Sequence, residues 1–396
     1  MKNQKFIILI LGLLTAIEPL SIDLYLPAFS QIKNYFMTDM GLVQVSLSIF
    51  IAGYAVGQLI WGTLSDKYGR KLSVSIGLLI YILSSVSTYF IYSIEQLWVL
   101  RFFQALGGCA GTVVANAIVA DLFCAKDRTK VFSVLTLILG ISPVLAPSFG
   151  TILLAHFDWH SIFHAMTIMG IVCLGLFLVI VPESYPQHKR TMVEKTSILT
   201  KYKFILSNKQ FWIYTLIAGM SFSALMIYVS NVPFLLIEKY GLSTKTFSLI
   251  FSLNSLAIIV SAALTPHLTK NIKSSNFILF AAIFLALSAV IFAICVLYIQ
   301  NFYLSLTALF IFLIPIGILF PLTINLVLAP FTMHNTGSAS SLMGFIELLI
   351  TFILSGIVGL LHNNTLYPMS ISIIIIASIT VVLAFMGKKH MHSLGH

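Results

Sequence analysis

Charged side chains are scarce in this sequence: Asp, Glu, Lys and Arg make up 9% of its 396 residues, whereas 59% are hydrophobic. A soluble domain carries roughly 25% charged residues. So few charges cannot cover a water-facing surface, which excludes an ordinary soluble protein. The formal net charge of +10 therefore reflects a few basic loops and does not predict a nucleic-acid partner.

Patterns that carry enzyme chemistry are also missing. The four cysteines lie in apolar runs without metal-ligand spacing, which predicts small core residues, with no disulfide framework and no metal site. The glycine run at 107–111 lies inside an apolar segment, so it favours close helix packing over a nucleotide-binding loop. No hydrophilic segment is long enough for a catalytic domain. We therefore expect no enzyme, and a membrane-embedded enzyme or a sensor is only a remote alternative.

Long apolar runs are what the sequence has instead. A membrane-spanning helix needs about 20 apolar residues, and twelve runs of that length follow one another along the chain. The sequence therefore predicts an all-α membrane protein with twelve transmembrane helices. We place them at 6–27, 42–64, 72–92, 96–120, 131–155, 161–182, 211–233, 246–268, 276–299, 302–329, 338–361 and 367–386.

The distribution of Lys and Arg supports this count. With both termini in the cytoplasm, 18 of the 22 Lys and Arg residues fall on the cytoplasmic side. Lys33, Lys239 and Lys245 fall outside, and Arg101 lies within a helix. Basic residues concentrate on the cytoplasmic side of membrane proteins, so we predict that both termini are cytoplasmic.

One basic hydrophilic segment, 183–210, divides the chain near its middle and carries six Lys or Arg residues. Six helices, a linker and six more helices are typical of transporters built from two related halves. We predict an N-terminal half at 1–182, a cytoplasmic linker at 183–210, a C-terminal half at 211–387 and a cytoplasmic tail at 388–396. Each half is expected to be a six-helix bundle, and the two bundles to be pseudo-symmetric.

Four Asp, Glu, Lys or Arg residues fall inside the predicted helices: Glu18, Asp23, Arg101 and Glu347. Such groups are expensive at membrane depth and usually mark a pathway or a relay. A carboxylate in a cavity that opens alternately to each side can take up a proton on one side and release it on the other. We therefore predict proton coupling at these four residues. The alternative is a structural ion pair in which Arg101 satisfies one carboxylate permanently.

Prolines and glycines cluster in two of the helices. Pro143, Pro147 and Gly150 are predicted to break the fifth helix, and residues 315–321 to break the tenth. Broken helices are tolerated in a membrane where they line protein or a cavity. Close packing through small residues is the alternative.

Polar and aromatic residues at membrane depth form a candidate substrate cavity. A mostly apolar pocket with a few polar groups suits small amphipathic compounds. For each residue the alternative is an interhelical hydrogen bond or an interfacial anchor. The set is Tyr25, Tyr54, Gln58, Asn116, Tyr228, Asn231, Asn254 and Asn325.

The segment at 62–71, GTLSDKYGRK, resembles a known signature. It matches the loop motif G-x-x-x-D-[RK]-x-G-[RK]-[RK] of the major facilitator superfamily at every defined position, between the second and third predicted helices. The resemblance implies the major facilitator fold. It also implies that Asp66 and Arg70 form a cytoplasmic charge network with Asp121.

Three more segments resemble drug/proton exporters of that superfamily. Residues 101–108, RFFQALGG, resemble its fourth-helix motif, and 140–150, GISPVLAPSFG, its fifth-helix antiporter motif. Residues 19–28, PLSIDLYLPA, are similar to the first-helix motif of the bicyclomycin/chloramphenicol-resistance (Bcr/CflA) exporters.

The resemblance implies a role for each motif. Arg101 would take part in proton coupling, Asp23 would be the proton or substrate carboxylate, and the prolines and glycine of the fifth helix would form a gating contact. Glu18 and Glu347 fall outside the family pattern. Glu18 suggests a second proton site or a preference for cationic substrates.

The sequence as a whole predicts a proton-coupled multidrug efflux transporter that exports small amphipathic compounds by alternating access. Its expected energy source is the proton gradient, without a cofactor, and its partners are the substrate, protons and the lipid bilayer of a bacterial inner membrane. We expect a monomer. The alternative is a proton-coupled exporter of a natural metabolite such as a siderophore or an amino acid. The fifth-helix motif disfavours an importer.

Overall fold

The computed structural model describes residues 4–185, 198–270, 272–331 and 333–393. Among these residues, twelve helical segments are long and apolar enough to cross a membrane, which confirms the predicted count. We number them as spans in chain order. They are Gln4–Tyr35, Met40–Tyr68, Arg70–Phe90, Ile94–Leu122, Lys130–His156, His160–Ile180, Lys209–Lys239, Thr244–Leu268, Ser274–Ile299, Phe302–Leu328, Thr336–Leu360 and Tyr367–Ser393.

The chain forms two compact units. The first unit holds the described residues up to 185 and Thr244–Leu249, and the second holds the other described residues from 198 onward. The α-helices of the first unit are Gln4–Asp23, Phe29–Tyr35, Met40–Tyr68, Arg70–Ser87, Ile94–Leu122, Ala125–His156 and His160–Ile180, with 3₁₀ turns at Leu26–Ala28 and Thr88–Phe90.

The second unit begins with a short helix, Ile198–Leu206, ahead of the seventh span. π-Helical turns at Phe234–Lys239 and Cys295–Ile299 complete the seventh and ninth spans. The remaining α-helices are Lys209–Pro233, Thr244–Leu268, Ser274–Ile294, Phe302–Leu328, Met333–Leu360 and Tyr367–Ser393. The first residues of the helix Thr244–Leu268, up to Leu249, belong to the first unit.

The two units share one packing pattern. In the first, the first span packs against the fourth, fifth and sixth, the fourth against the second and third, and the third against the sixth. In the second, the seventh span packs against the tenth, eleventh and twelfth, and the ninth against the tenth and twelfth. Gly317 of the tenth span meets the backbone of Ile258 in the eighth. Each contact recurs six spans later, as expected of pseudo-symmetric bundles.

Small residues allow the closest of these contacts. A Cβ atom at Gly53 would overlap the backbone carbonyl of Phe102, and one at Gly107 would overlap that of Gly77. A Cβ at Gly111 would lie 2.9 Å from the carbonyl oxygen of Leu14. The glycine run of the fourth span is therefore a packing surface for the first and third spans, as its sequence predicts.

The first α-helix of the first span ends at Asp23, four residues before the predicted end at residue 27. Pro27 has no N–H to donate to the Asp23 carbonyl, so the ladder of i to i−4 bonds stops there. A 3₁₀ turn at Leu26–Ala28 follows. The chain then resumes as the helix Phe29–Tyr35, and Asp23 stands at a helix end.

The prediction that prolines break the fifth and tenth helices is wrong. Ala125–His156 is one continuous helix with Pro143 and Pro147 inside it, and Phe302–Leu328 likewise contains its two prolines. Each proline removes a single backbone bond. Opening further turns in apolar surroundings would leave more polar groups without partners, so the helices continue.

Parts of the predicted linker and tail have structure. Glu183, Ser184 and Tyr185 belong to the first unit and contact its third and fourth spans. Ile198–Leu206 is helical. Residues 186–197 of the linker lie outside the described residues. The twelfth span continues to Ser393, past its predicted end at 386, and the last three residues of the predicted tail are also outside the described residues.

Candidate functional site

The charge network implied by the loop signature lies at one end of the first unit. Gly69 has φ +100°, which favours glycine, and Arg70 follows it as the first residue of the third span. The Arg70 guanidinium donates to Asp66 Oδ1 at 2.5 Å and to Asp121 Oδ2 at 3.0 Å. It also donates to Ser65 Oγ at 2.7 Å. The arginine thus joins the second, third and fourth spans.

Besides Ser65, sequence reasoning missed three residues of this network. Glu183 accepts hydrogen bonds from the backbone N–H groups of Arg70 and Lys71, at 3.0 and 3.1 Å. Ser184 Oγ donates to Asp121 Oδ2 at 2.9 Å, and the Arg70 guanidinium lies 4.7 Å from the centre of the Tyr185 ring. An acid at a helix N-terminus is favourable. Because 113 residues separate Glu183 from Arg70, only the fold reveals it.

Arg101 is completely buried in the first unit. Its guanidinium donates to Gln104 Oε1 at 2.6 Å and to the backbone oxygen of Ser21 at 3.1 Å. The aromatic rings of Tyr25 and Phe50 flank it, with centres 4.5 and 4.2 Å away. Among the residues that the structure describes, Arg101 makes no ion pair, whereas Arg70 pairs with Asp66 and Asp121. The structural ion pair considered for Arg101 is therefore absent from this arrangement.

A second layer of neutral groups holds the partners of Arg101. Gln104 Nε2 donates to Ser85 Oγ at 2.7 Å, and the hydroxyls of Ser21 and Tyr81 are 2.7 Å apart. The Tyr25 hydroxyl lies 2.8 Å from Ser46 Oγ. These bonds tie the arginine to the first, second and third spans. Gln104 had a sequence signal, because a residue three positions after Arg101 shares its helix face.

Asp23 and Glu18 lie on the same first-span helix as Ser21. Asp23 is buried, with 4% of its surface exposed, and Glu18 is half-buried. The two carboxylates interact electrostatically. The buried Tyr54 hydroxyl lies near the Glu18 carboxyl and Thr112, but it makes no well-formed hydrogen bond with either. The structure thus gathers Asp23, Glu18, Arg101 and Tyr54 in one unit.

Glu347 lies in the second unit, on the eleventh span. Its backbone approaches Gly219 of the seventh span, where an added Cβ would lie 3.5 Å from the Glu347 Cα. Thr351 Oγ1 donates to the Glu347 carbonyl at 2.8 Å and lies 3.2 Å from Ser223 Oγ. This acid is therefore placed on a different unit from the other three ionisable residues.

The predicted cavity residues are divided between the units. In the second unit, Asn254 Nδ2 donates to the Tyr228 hydroxyl at 3.2 Å, an interhelical bond. Asn231 donates within its own helix, to the carbonyl of Ile227 at 2.9 Å, and Asn325 is exposed. In the first unit, Tyr25 and Tyr54 are buried, Gln58 is half-buried and Asn116 is exposed. That all eight line one cavity stays a prediction.

The predicted gating residues pack within the first unit. A Cβ at Gly150 would lie 2.6 Å from the carbonyl oxygen of Leu24, so the fifth span closely approaches the end of the first-span helix. The Pro147 carbonyl accepts a hydrogen bond at 2.9 Å from Ser248 Oγ, in the Thr244–Leu249 segment of the same unit. The gating role itself stays a prediction.

The fold and this site define a multi-pass integral membrane protein of the transporter class. Solved transporters share the fold. The crystal structure of a D-xylose-proton symporter has a TM-score of 0.79 at 14% identity, covering 96% of each chain. A bacterial homolog of the human lysosomal transporter Spinster has a TM-score of 0.77 at 15% identity, covering 97% of each chain.

Sequence comparison shows the family. The profile of the Major Facilitator Superfamily matches residues 11–355. The uncharacterized MFS-type transporter YdgK of Bacillus subtilis (strain 168) is 31% identical over 98% of this chain and 96% of its own. The chain belongs to the major facilitator superfamily, and it is a transporter, not an enzyme.

Two further relatives have names that refer to drugs. A bicyclomycin resistance protein homolog of Haemophilus influenzae is 27% identical over 93% of this chain and 92% of its own. The multidrug resistance protein MdtL of Shewanella sp. (strain ANA-3) is 28% identical over 94% and 93%. These names are consistent with the Bcr/CflA drug/proton antiporters that the first-helix motif resembles.

Proposed function

We propose that this transporter is a proton-coupled multidrug antiporter that exports small amphipathic compounds by alternating access. The observation that carries the proposal is the arrangement around Arg101. A buried cation is bonded to neutral groups only, while two carboxylates, Asp23 and Glu18, lie on the neighbouring first-span helix. Carboxylates not committed to an ion pair can exchange protons, and ionisable groups at membrane depth commonly do so in transporters.

Asp23 is the proposed proton-binding group. Protonation from outside neutralises its carboxylate while substrate leaves, and release of the proton to the cytoplasm restores the substrate-binding form. Asp23 suits this role because it stands at the break of the first span, two residues after Ser21, whose backbone carbonyl binds Arg101. A change in charge at Asp23 is thereby transmitted to the Arg101 environment.

The remaining features of the proposal concern orientation, energy source, oligomeric state and substrates. The 18-to-3 division of basic residues supports a cytoplasmic location of both termini, and the bacterial sources of the relatives support a bacterial cytoplasmic membrane. The proton gradient is the proposed energy source, and a monomer the proposed unit of transport. The relatives named for bicyclomycin and multidrug resistance support drugs as substrates. Half-buried Glu18 supports a preference for cationic ones.

The test is transport into inverted membrane vesicles with an imposed pH gradient, using a panel of cationic and neutral amphipathic drugs. We expect Asp23→Asn to reduce gradient-driven uptake to the level of vesicles without the protein. The matched control is Asp39→Asn, because Asp39 is an exposed acid at the start of the second span. Undiminished uptake by Asp23→Asn would remove Asp23 from the mechanism. No gradient-driven uptake of any drug by the wild type would refute drug export.

A further inference from the structure

A histidine at the other end of the first unit, opposite the Arg70 network, sits in a cluster that the transport proposal does not use. His160 is the first residue of the sixth span, and it is buried, with 8% of its surface exposed. The turn before it supplies Asp158 and Trp159. Asp158 Oδ1 accepts from the backbone N–H of His160 at 3.1 Å, and Asp158 Oδ2 lies 3.0 Å from its ring Nδ1.

Aromatic rings from three elements surround the imidazole. The Trp159 ring stacks on it, with centres 3.8 Å apart and planes inclined by 29°. Tyr35, at the end of the first span, meets it edge-on at 5.4 Å, and Tyr89, at the end of the third span, does so at 5.7 Å. Tyr35 also contacts Trp159 at 5.3 Å. The histidine therefore fastens the ends of the first and third spans to the turn between the fifth and sixth.

Protonation changes the strength of these contacts. The imidazolium ion gains a charge-assisted bond to Asp158 and cation–π attraction to the Trp159 ring that stacks on it. The N-terminus of the sixth-span helix opposes the positive charge, and the Asp158 carboxylate at that terminus offsets it. The titratable groups that the contacts place around this site are Asp158, Tyr35, Tyr89 and, against Tyr89 at 6.0 Å, His164.

The cluster is connected to the Arg101 environment by consecutive ring contacts. Trp159 meets Phe163 at 5.7 Å, and Phe163 meets Tyr25 at 5.7 Å. The Arg101 guanidinium lies 4.5 Å from the Tyr25 ring and 5.9 Å from the Phe163 ring. A shift at His160 thus has a packed route to the end of the first-span helix.

We propose that Asp158, Trp159 and His160 form a pH-sensitive clasp on the Tyr35 end of the first span. The clasp tightens when His160 is protonated and loosens when it is neutral. Histidine is the side chain whose ordinary charge change falls between about pH 5 and 8. The clasp is a separate device from the Asp23 chemistry, and its test does not depend on transport.

The first measurement is tryptophan fluorescence of the purified protein in lipid nanodiscs between pH 8 and 5. A protonated imidazole stacked on an indole quenches its emission, so we expect wild-type fluorescence to fall as the pH is lowered. His160→Phe keeps a ring in the cluster but cannot titrate, and it should lose this component. His156→Gln is the matched control, since His156 is an exposed histidine at the end of the preceding helix, and it should retain the component.

The second measurement is amide hydrogen exchange at pH 8 and pH 5, corrected for the intrinsic rates. In the wild type, we expect the helix Phe29–Tyr35 and the turn at 157–159 to be more protected at pH 5. In His160→Phe that difference should vanish. Identical fluorescence curves for wild type and His160→Phe, or pH-dependent protection that persists in His160→Phe, would overturn the clasp.

Asp158→Asn provides an additional test that leaves the histidine in place. Loss of the acid removes the charge-assisted bond to the imidazolium, so we expect the gain in amide protection of the helix Phe29–Tyr35 between pH 8 and pH 5 to be smaller than in the wild type. An equal gain would contradict the role of Asp158. The Asp158→Asn variant also tests the clasp if His160→Phe fails to fold.

Discussion

At the scale of single residues, Arg101 places the strictest requirements on its neighbours in the first unit, because its charge is buried. A charge without partners is very costly to bury, and this one is met by an amide oxygen, a backbone oxygen and two aromatic faces. Such a set suits a planar guanidinium better than an ammonium ion, because the guanidinium can donate in two directions and stack at once. The site therefore requires arginine and not simply a positive charge.

We predict that Arg101→Lys impairs the protein despite conserving the charge. A lysine cannot both reach Gln104 Oε1 and the Ser21 carbonyl and stack on the rings, so one buried acceptor loses its donor at a cost of about 1–3 kcal/mol. Thermal unfolding in detergent would show this as a lower midpoint. A midpoint and transport rate equal to wild type would contradict the arrangement described for Arg101.

We predict that Glu183→Gln weakens the start of the third span. Both oxygens of Glu183 accept from the first backbone N–H groups of that helix, and loss of such a cap and its charge costs about 0.5–2 kcal/mol. The unfolding midpoint is again the measurement. Glu95→Gln is the control, because Glu95 is an exposed acid in the first turn of the fourth span. Equal effects of the two substitutions would argue against a special role for Glu183.

The sequence identified some of these residues and not others, for physical reasons. Asp66 and Arg70 belong to one short motif, so their spacing alone predicts proximity. Arg101, Asp23 and Glu18 stand out because charge is rare at membrane depth. Glu183 and Tyr81 carry no such signal: an acid at the edge of a basic linker and a tyrosine in an apolar helix are ordinary until the fold brings them to Arg70 and Ser21.

At the scale of elements, backbone approach between helices matters more than amphipathic patterning. The second and fourth spans meet where Gly53 faces the backbone of Phe102, and the third and fourth where Gly107 faces Gly77. Lipid is as apolar as a leucine side chain, so spans associate through close packing and hydrogen bonds. The absence of a side chain at these glycines therefore allows the spans to pack backbone against backbone.

We predict that Gly53→Ala separates the second and fourth spans. The added methyl group would overlap the Phe102 carbonyl, and overpacking of this kind typically costs about 1–3 kcal/mol. The unfolding midpoint should fall. Gly175→Ala is the control, since Gly175 also lies in a helix but has nothing within 4 Å of its added Cβ, and its midpoint should stay at or slightly above wild type. Equal loss in both variants would contradict the packing account.

The elements also show where sequence rules fail. The apolar run placed the end of the first helix too late, at residue 27, and the prolines predicted breaks in the fifth and tenth helices that do not exist. At Pro27 a 3₁₀ turn takes over the chain, whereas the regular bonds on both sides of Pro143 and Pro147 continue. The proline has the same local effect in each case. What differs is whether the neighbouring residues keep the helix, and that depends on packing that the sequence does not display.

At the scale of the whole molecule, the twelve spans and the repeated packing pattern were the most predictable features. Hydropathy predicts the number of spans because each spanning segment must be an apolar helix that satisfies its own backbone N–H and C=O groups. The repetition of contacts six spans later was expected only from the position of the linker, since the two halves have little sequence in common. The substrate is the least predictable feature, because it depends on a cavity assembled from many individually ordinary residues.

We predict the orientation of the chain from its basic residues. Lys245 lies in the first turn of the eighth span and Lys270 lies just after its end, and both are exposed. After Cys124, the exposed native cysteine, is replaced by serine, a membrane-impermeant maleimide should label Lys245→Cys in intact cells. It should label Lys270→Cys only after the cells are permeabilised. The reverse pattern would show that the termini are not cytoplasmic.

The central claim is that substrate movement in this transporter is coupled to protons. The most direct measurement is the internal pH of liposomes that contain the purified protein and a pH-sensitive dye, recorded when an amphipathic cationic drug is added outside. The account predicts that the drug drives protons across the membrane in the opposite direction, that Asp23→Asn abolishes this flux and that Asp39→Asn retains it. Drug transport by the wild type without any proton movement would contradict the account.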